Sequence, residues 1–196
     1  MLGTTKGKIG ARAVATAGSV STAALLLCSV LAPHAAAASA PRASTIKLGA
    51  NKENYLCSSG YEWIQTASSA AFYVAPSKGK LTKWMIFGGP DAGSMQFEVW
   101  RPLGGTQYSL LYISSPTTLT ANKTTKVALD PKVAVQAGDV IGLRSVSQID
   151  CALKTDSSSD TYVYNNSGSV PTVGSTVTFT DGGLTGFEFN IAAIFK

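Results

Sequence analysis

The chain predicts an all-β fold: a single antiparallel β-sandwich, jelly-roll-like, closed by one disulfide. Three observations lead there. Short β-rich runs recur at roughly 8 to 12 residue intervals with turn residues between them. No stretch keeps a helical period for three turns. Two cysteines, Cys57 and Cys151, remain as an even pair once an export leader is set aside.

The leader comes first in the chain. Lys6, Lys8 and Arg12 precede an apolar stretch from Ala13 to Ala32, and Ala36-x-Ala38 supplies a small-residue cleavage site, so residues 1–38 read as a signal peptide with the mature start near Ser39. An uncleaved anchor is disfavoured by Gly18, Ser19, Ser21 and Thr22 within the apolar stretch. Acylation at Cys28 is disfavoured by the large Leu27 before it. Removing these 38 of 196 residues leaves 158, one domain's worth, and takes away three of 16 basic residues, so the net charge falls from +5 to +2. No basic face remains to bind nucleic acid.

Ser39 to Asn54 is mixed and polar and is expected to be an exposed N-terminal arm, with the sandwich domain spanning residues 55–196. Strands are expected near Tyr61 to Thr66, Ala71 to Val74, Leu81 to Phe87, Ser94 to Arg101, Thr106 to Ile113, Thr124 to Leu129, Val140 to Ser145, Thr161 to Tyr164, Ser175 to Thr180 and Phe187 to Phe195. Alternation assigns Met95, Phe97 and Val99 to a core side and Gln96, Glu98 and Trp100 to a wetter one; Phe187, Phe189, Ile191, Ala193 and Phe195 share one side of the last strand. The connectors Gly88 to Gly93, Pro102 to Gly105 and Asp181 to Gly183 carry residues that preset turns. Asp156 to Asp160 reads as a mobile polar loop. The bridge between Cys57 and Cys151 closes a 94-position loop and is structural, since neither cysteine has a C-x-x-C partner or a nearby histidine.

The run Trp84…Gly88-Gly89-Pro90-x-Ala92-Gly93, then Val99-Trp100-Arg101-Pro102, then Val133-x-Val135-Gln136-Ala137-Gly138-Asp139-Val140-Ile141-Gly142-Leu143, resembles a group of secreted actinobacterial β-sandwich proteins of unassigned function. The resemblance covers Tyr55 to Cys151, both cysteines included. It implies the sandwich fold and an Ala-rich leader; the Ala-Gly-Asp-x-Ile-Gly-Leu strand entry also recurs in extracellular sandwich modules, some of which bind carbohydrate.

Chemistry is narrowed by one absence. The single histidine, His34, lies in the leader, so the exported chain has no imidazole to serve as general base, as partner to a nucleophile or as metal ligand. Gly88 to Ser94 lacks the lysine of a phosphate loop and joins two strands, and Ser44-x-x-Lys47 and Ser77-x-x-Lys80 lack the helix and companion motifs of acyl enzymes. Two carboxylates drawn from Glu62, Glu98, Asp139, Asp150 and Glu188 keep a small glycosidase open as an alternative. Asp150, Asp156 and Asp160 offer oxygen donors for calcium, but their spacing matches no calcium motif. Lys78, Lys80 and Lys83 read as solvated charge.

Flat rings stack on sugars, and Trp100 with Gln96 and Glu98 on the wetter side of its strand is the first candidate ligand surface, followed by Trp63 and Tyr108. Trp84, which shares its side with Ile86, is assigned to the core. The sequence therefore leads to a secreted, non-enzymatic binding module without cofactor or metal, with cell-wall or extracellular glycans as first ligand class. A structural or protein-partner role is the other alternative. No stable membrane insertion is expected after cleavage, and the oligomeric state is left open.

Overall fold

The computed structural model describes residues 44–52 and 55–196. The expected leader, with Cys28, His34 and the cut near Ser39, lies outside the described residues. Within them the fold is all-β, with antiparallel sheets packed together as the sequence predicts.

Three sheets form. The first has the order β1 (Ile46–Gly49), β15 (Ala192–Phe195), β4 (Gly79–Gly88) and β8 (Lys123–Val135). The second is β14 (Phe187–Phe189), β10 (Ile149–Lys154) and β2 (Tyr55–Cys57). The third runs β12 (Thr176–Thr178), β6 (Gln107–Ile113), β5 (Ser94–Gly104), β9 (Val140–Ser145), β3 (Glu62–Ala67), β11 (Thr161–Asn165) and β13 (Thr180–Thr185), with the short β7 (Thr117–Thr118) also on β5. Every pairing is antiparallel.

The third sheet curls on itself. β12 pairs with β6 at one end of the strand order and β13 with β11 at the other, yet Phe179 alone separates β12 from β13 in the chain. Continuous backbone through Phe179 therefore joins the two ends, giving a barrel-like wall with an inner and an outer face. The register sorts the residues. Gln96 lies opposite Arg144 and Arg144 opposite Glu62 on the inner face, while Phe97 lies opposite Leu143 and Leu143 opposite Trp63 on the outer one. Trp100 meets Phe179 edge-on across the interior, with ring centroids 5.0 Å apart. On the outside Phe97 stacks on Trp84 of β4 at 5.7 Å, tying this wall to the first sheet.

That closure corrects the expectation of a wet face on β5. Met95 to Trp100 are all buried, because the returning segment β12–β13 covers the side that alternation left to solvent. Trp84 and Ile86 are core, as expected.

Other boundaries move for identifiable reasons. The N-terminal arm is not wholly exposed: Ile46 to Gly49 pair with β15 and Leu48 is buried, since this stretch completes the first sheet. Ala71 to Val74 forms only a bridge from Val74 to Val140, although the Tyr73 hydroxyl is buried and donates to the Phe189 carbonyl. β8 continues past Leu129 to Val135, and β2 and β10 form where no strand was expected. Asp181 to Gly183 belongs to β13, not to a turn.

The last strand divides into β14 and β15 at Asn190, whose side chain accepts from Phe87 N (3.1 Å) and donates to Phe87 O (2.5 Å), satisfying the backbone where the chain leaves one sheet for another. Cys57 and Cys151 are bridged between the neighbouring strands β2 and β10, with Cα atoms 5.7 Å apart. The Gly88 to Gly93 connector is clamped onto Asp150, which accepts from Asp91 N at 2.9 Å; a Cβ at Gly89 would stand 2.4 Å from that carboxylate. Asp160, expected in a mobile loop, has no exposed surface and accepts from Ser69 N and the Thr155 hydroxyl.

Candidate functional site

Four of the five expected ligand-binding side chains lie inside the barrel. Trp100 has 0% exposure and donates its indole N–H to Glu98 Oε2 at 2.9 Å. Gln96 donates to Ser114 O at 2.7 Å, and Tyr108 packs edge-on against Phe179 at 5.2 Å. Trp100, Gln96, Glu98 and Tyr108 are thus corrected from a sugar platform to barrel filling. Alternation separates two faces of a strand but carries no information on whether a distant segment covers the second.

Trp63 has a different setting. On the outer face of β3 it is half-buried at the centre of a ring cluster: Tyr61 stacks on it at 5.2 Å with planes 14° apart, and Tyr162, Tyr164 and Phe189 approach at 5.7, 5.6 and 5.5 Å. Tyr55 and Phe187 meet edge-on at 4.6 Å beside them. A cleft of about 160 Å³ opens among Tyr55, Leu56, Trp63, Tyr162, Phe187 and Phe189, floored by Cys57 and Ala152. Tyr55 is 47% exposed and Leu56 37%, so the mouth is wet and the walls are apolar. Among the described residues no charged side chain lines it.

The chain builds this cleft through three devices. Pairing of β3 with β11 puts Tyr164 directly across from Trp63. Gln65, buried, ties β14 alongside by donating to Phe187 O (2.9 Å) and accepting from Phe189 N (3.0 Å). The Cys57–Cys151 bridge fixes β2, which carries Tyr55. Sequence reasoning took Trp63 alone, but a usable signal was present. Tyr61/Trp63, Tyr162/Tyr164 and Phe187/Phe189 are i, i+2 pairs, each of which puts two rings on one side of an extended chain.

The barrel interior holds a second polar constellation. Arg144 Nε donates to Glu62 Oε1 at 2.8 Å, and Asn165 donates to Glu62 Oε2 at 2.7 Å. Glu98 Oε2 takes the Trp100 indole; its Oε1 has no partner among the described residues. One guanidinium serves two carboxylates. Burial pushes the Glu98 carboxyl well above its ordinary range, with the Glu62 charge acting in the same direction and the Trp100 hydrogen bond and Arg144 against it. Glu62 is raised too, by burial, against the opposing effect of Arg144.

A carboxyl that holds its proton in the folded state but releases it near 4.5 when unfolded stabilises the fold most in acid, and that contribution is lost as pH rises from about 4.5 through the folded value. Glu98→Gln, which fixes a neutral side chain there, is expected to gain on the order of 1–3 kcal/mol near pH 8 and to flatten the decline of stability above about pH 4.5. Urea melts across that range test it; an unchanged slope would contradict it.

Four further acids, Asp139, Asp150, Asp160 and Glu188, have structural partners. Asp139 is bonded by Arg101, Glu188 accepts from Ser68 at 2.9 Å, and Asp150 and Asp160 hold loops. Among the described residues no group of three or more His, Cys, Asp or Glu is placed to hold a metal ion.

Fold and site together define a disulfide-bridged antiparallel β protein with a barrel-like sheet and an uncharged aromatic cleft on its outer face. No family model, curated protein or solved structure matches the chain.

Proposed function

We propose that the protein is a secreted, non-enzymatic binding module whose ligand is a neutral sugar unit of an extracellular or cell-wall glycan, received in the aromatic cleft. The observation that carries this reading is an uncharged, ring-walled cleft with the exposed Tyr55 at its mouth and the half-buried Trp63 in its wall. Such rings stack on apolar sugar faces, and the phenol of Tyr55 can bond a hydroxyl. At about 160 Å³ the cleft is smaller than the roughly 300–1,000 Å³ of drug-sized sites, which suits one ring or a chain end. A disulfide is compatible with an exported protein. We set a glycosidase aside because Glu62 and Glu98, the two candidate acids that influence each other, are both 0% exposed.

Retention on insoluble polysaccharides and cell-wall material tests the reading. Tyr55→Ala, at an exposed position, is expected to keep the fold and to lower the retained fraction about tenfold, the loss of one stacking ring. Absence of retention across a broad panel overturns it. A protein-partner role has its own observation in Phe72, 80% exposed, with Val74 40% exposed two residues on. Recovery of one specific partner by cross-linking through Phe72, in a protein that ignores every glycan, would favour that role instead.

A further inference from the structure

At another part of the molecule, the ends of β4, β5 and β8 surround a cleft of about 460 Å³ lined by Lys78, Lys80, Arg101, Gln136 and Lys196. We propose that this cleft is a binding site for a tetrahedral oxyanion, a phosphate or sulfate group. It shares no lining residue with the aromatic cleft and does not depend on the glycan reading.

Two lysines face each other at this cleft. Lys80 and Lys196 exchange both backbone hydrogen bonds, Lys80 N to Lys196 O at 2.8 Å and Lys196 N to Lys80 O at 3.0 Å, so they stand directly opposite each other on adjacent strands. Like charges at such positions repel. Lys78 adds a third ammonium, and none of the three lysines is ion-paired among the described residues. Lys83, which sequence proximity grouped with Lys78 and Lys80, does not line the cleft; Arg101 and Lys196, distant in sequence, do.

Arg101 is already positioned. Its Nε and Nη2 donate to Asp139 Oδ1 and Oδ2 at 2.8 and 2.9 Å, and Asp139, 2% exposed, also accepts from Gln136 N at 2.7 Å. The carboxylate grips one edge of the guanidinium. Its side chain remains 37% exposed, with Nη1 free of any hydrogen bond among the described residues, so little order need be lost to bond an oxyanion. Among the described residues no acidic side chain lines the cleft, and Asp139, which holds Arg101 from behind, offsets one of the four cations, so the balance stays positive.

The test is a titration of isotope-labelled protein with inorganic phosphate and, separately, sulfate, at ionic strength held constant with chloride, followed by amide and Arg101 Nε NMR shifts. Saturable shifts centred on Lys80, Gln136, Lys196 and Arg101 are expected. Lys80→Gln combined with Lys196→Gln should weaken binding about tenfold, while Lys123→Gln with Lys126→Gln, toward the other end of β8, should leave it unchanged. Response to both anions identifies a general oxyanion site and response to one identifies its preference; either supports the proposal. Equal shifts with chloride alone, or equal weakening by the Lys123/Lys126 pair, overturn it.

Discussion

Arg144→Met is expected to cost about 3–5 kcal/mol at neutral pH, the penalty for leaving a buried charge without its partner. Arg144 is the cation bonded to Glu62, its side chain is 6% exposed and that of Glu62 is 0% exposed. Methionine fills much of the volume but leaves the Glu62 carboxylate with Asn165 as its one remaining side-chain partner among the described residues. Glu98 loses a favourable charge as well.

The pH profile separates this cause from lost packing. Glu62 and Glu98 already hold their protons above the ordinary carboxylate range, so acidification neutralises both and the deficit of Arg144→Met should shrink as pH falls from about 8 towards about 4.5. A packing defect would not respond. The double variant Glu62→Gln/Arg144→Met should recover most of the loss, because apolar or neutral replacement of a buried pair is often close to neutral. Denaturant melts of both variants at two pH values supply the measurement; a pH-independent deficit that Glu62→Gln fails to relieve contradicts the account.

Removal of the disulfide by Cys57→Ala/Cys151→Ala is expected to lower stability by about 4–5 kcal/mol, the chain-entropy value for a loop of sequence separation 94. The bridge joins β2 to β10, and β2 is a three-residue strand at the edge of a three-stranded sheet. So short an edge has few hydrogen bonds to hold it. Tyr55 rides on β2, so the same variant should weaken glycan retention more than its loss of global stability alone would predict. Hydrogen exchange localises the effect: amides of β2 should lose protection first, and uniform loss across all three sheets would show that the bridge acts on the unfolded chain alone.

Much of the fold was legible in the residues. Val140 to Ser145 was bounded to the residue because Ala137 and Gly138 turn the chain before it, closed by Asp139 N donating to Gln136 O, and a buried run follows. The partner of Cys57 followed from counting. The failures share one origin. Trp100 and Trp63 look alike as sequence, each a tryptophan two residues after a glutamate or a tyrosine in an alternating strand, yet one fills the barrel and the other walls a cleft. Asn190 could not be seen to end one strand and start another, since its partner Phe87 lies 103 positions away.

By itself the sequence determined the all-β class, the turn before Val140 and the pairing of the two cysteines, because alternation, turn propensity and composition are properties of neighbouring residues or of simple counts. Only the tertiary structure decided which faces are covered. Joining the ends of the third sheet through Phe179 buried Glu62, Glu98 and Trp100, left the rings around Trp63 on the outside, and the meeting of strand ends brought Arg101 and Lys196 to Lys80. Those outcomes rest on contacts between segments far apart in the chain, and local periodicity carries no record of them.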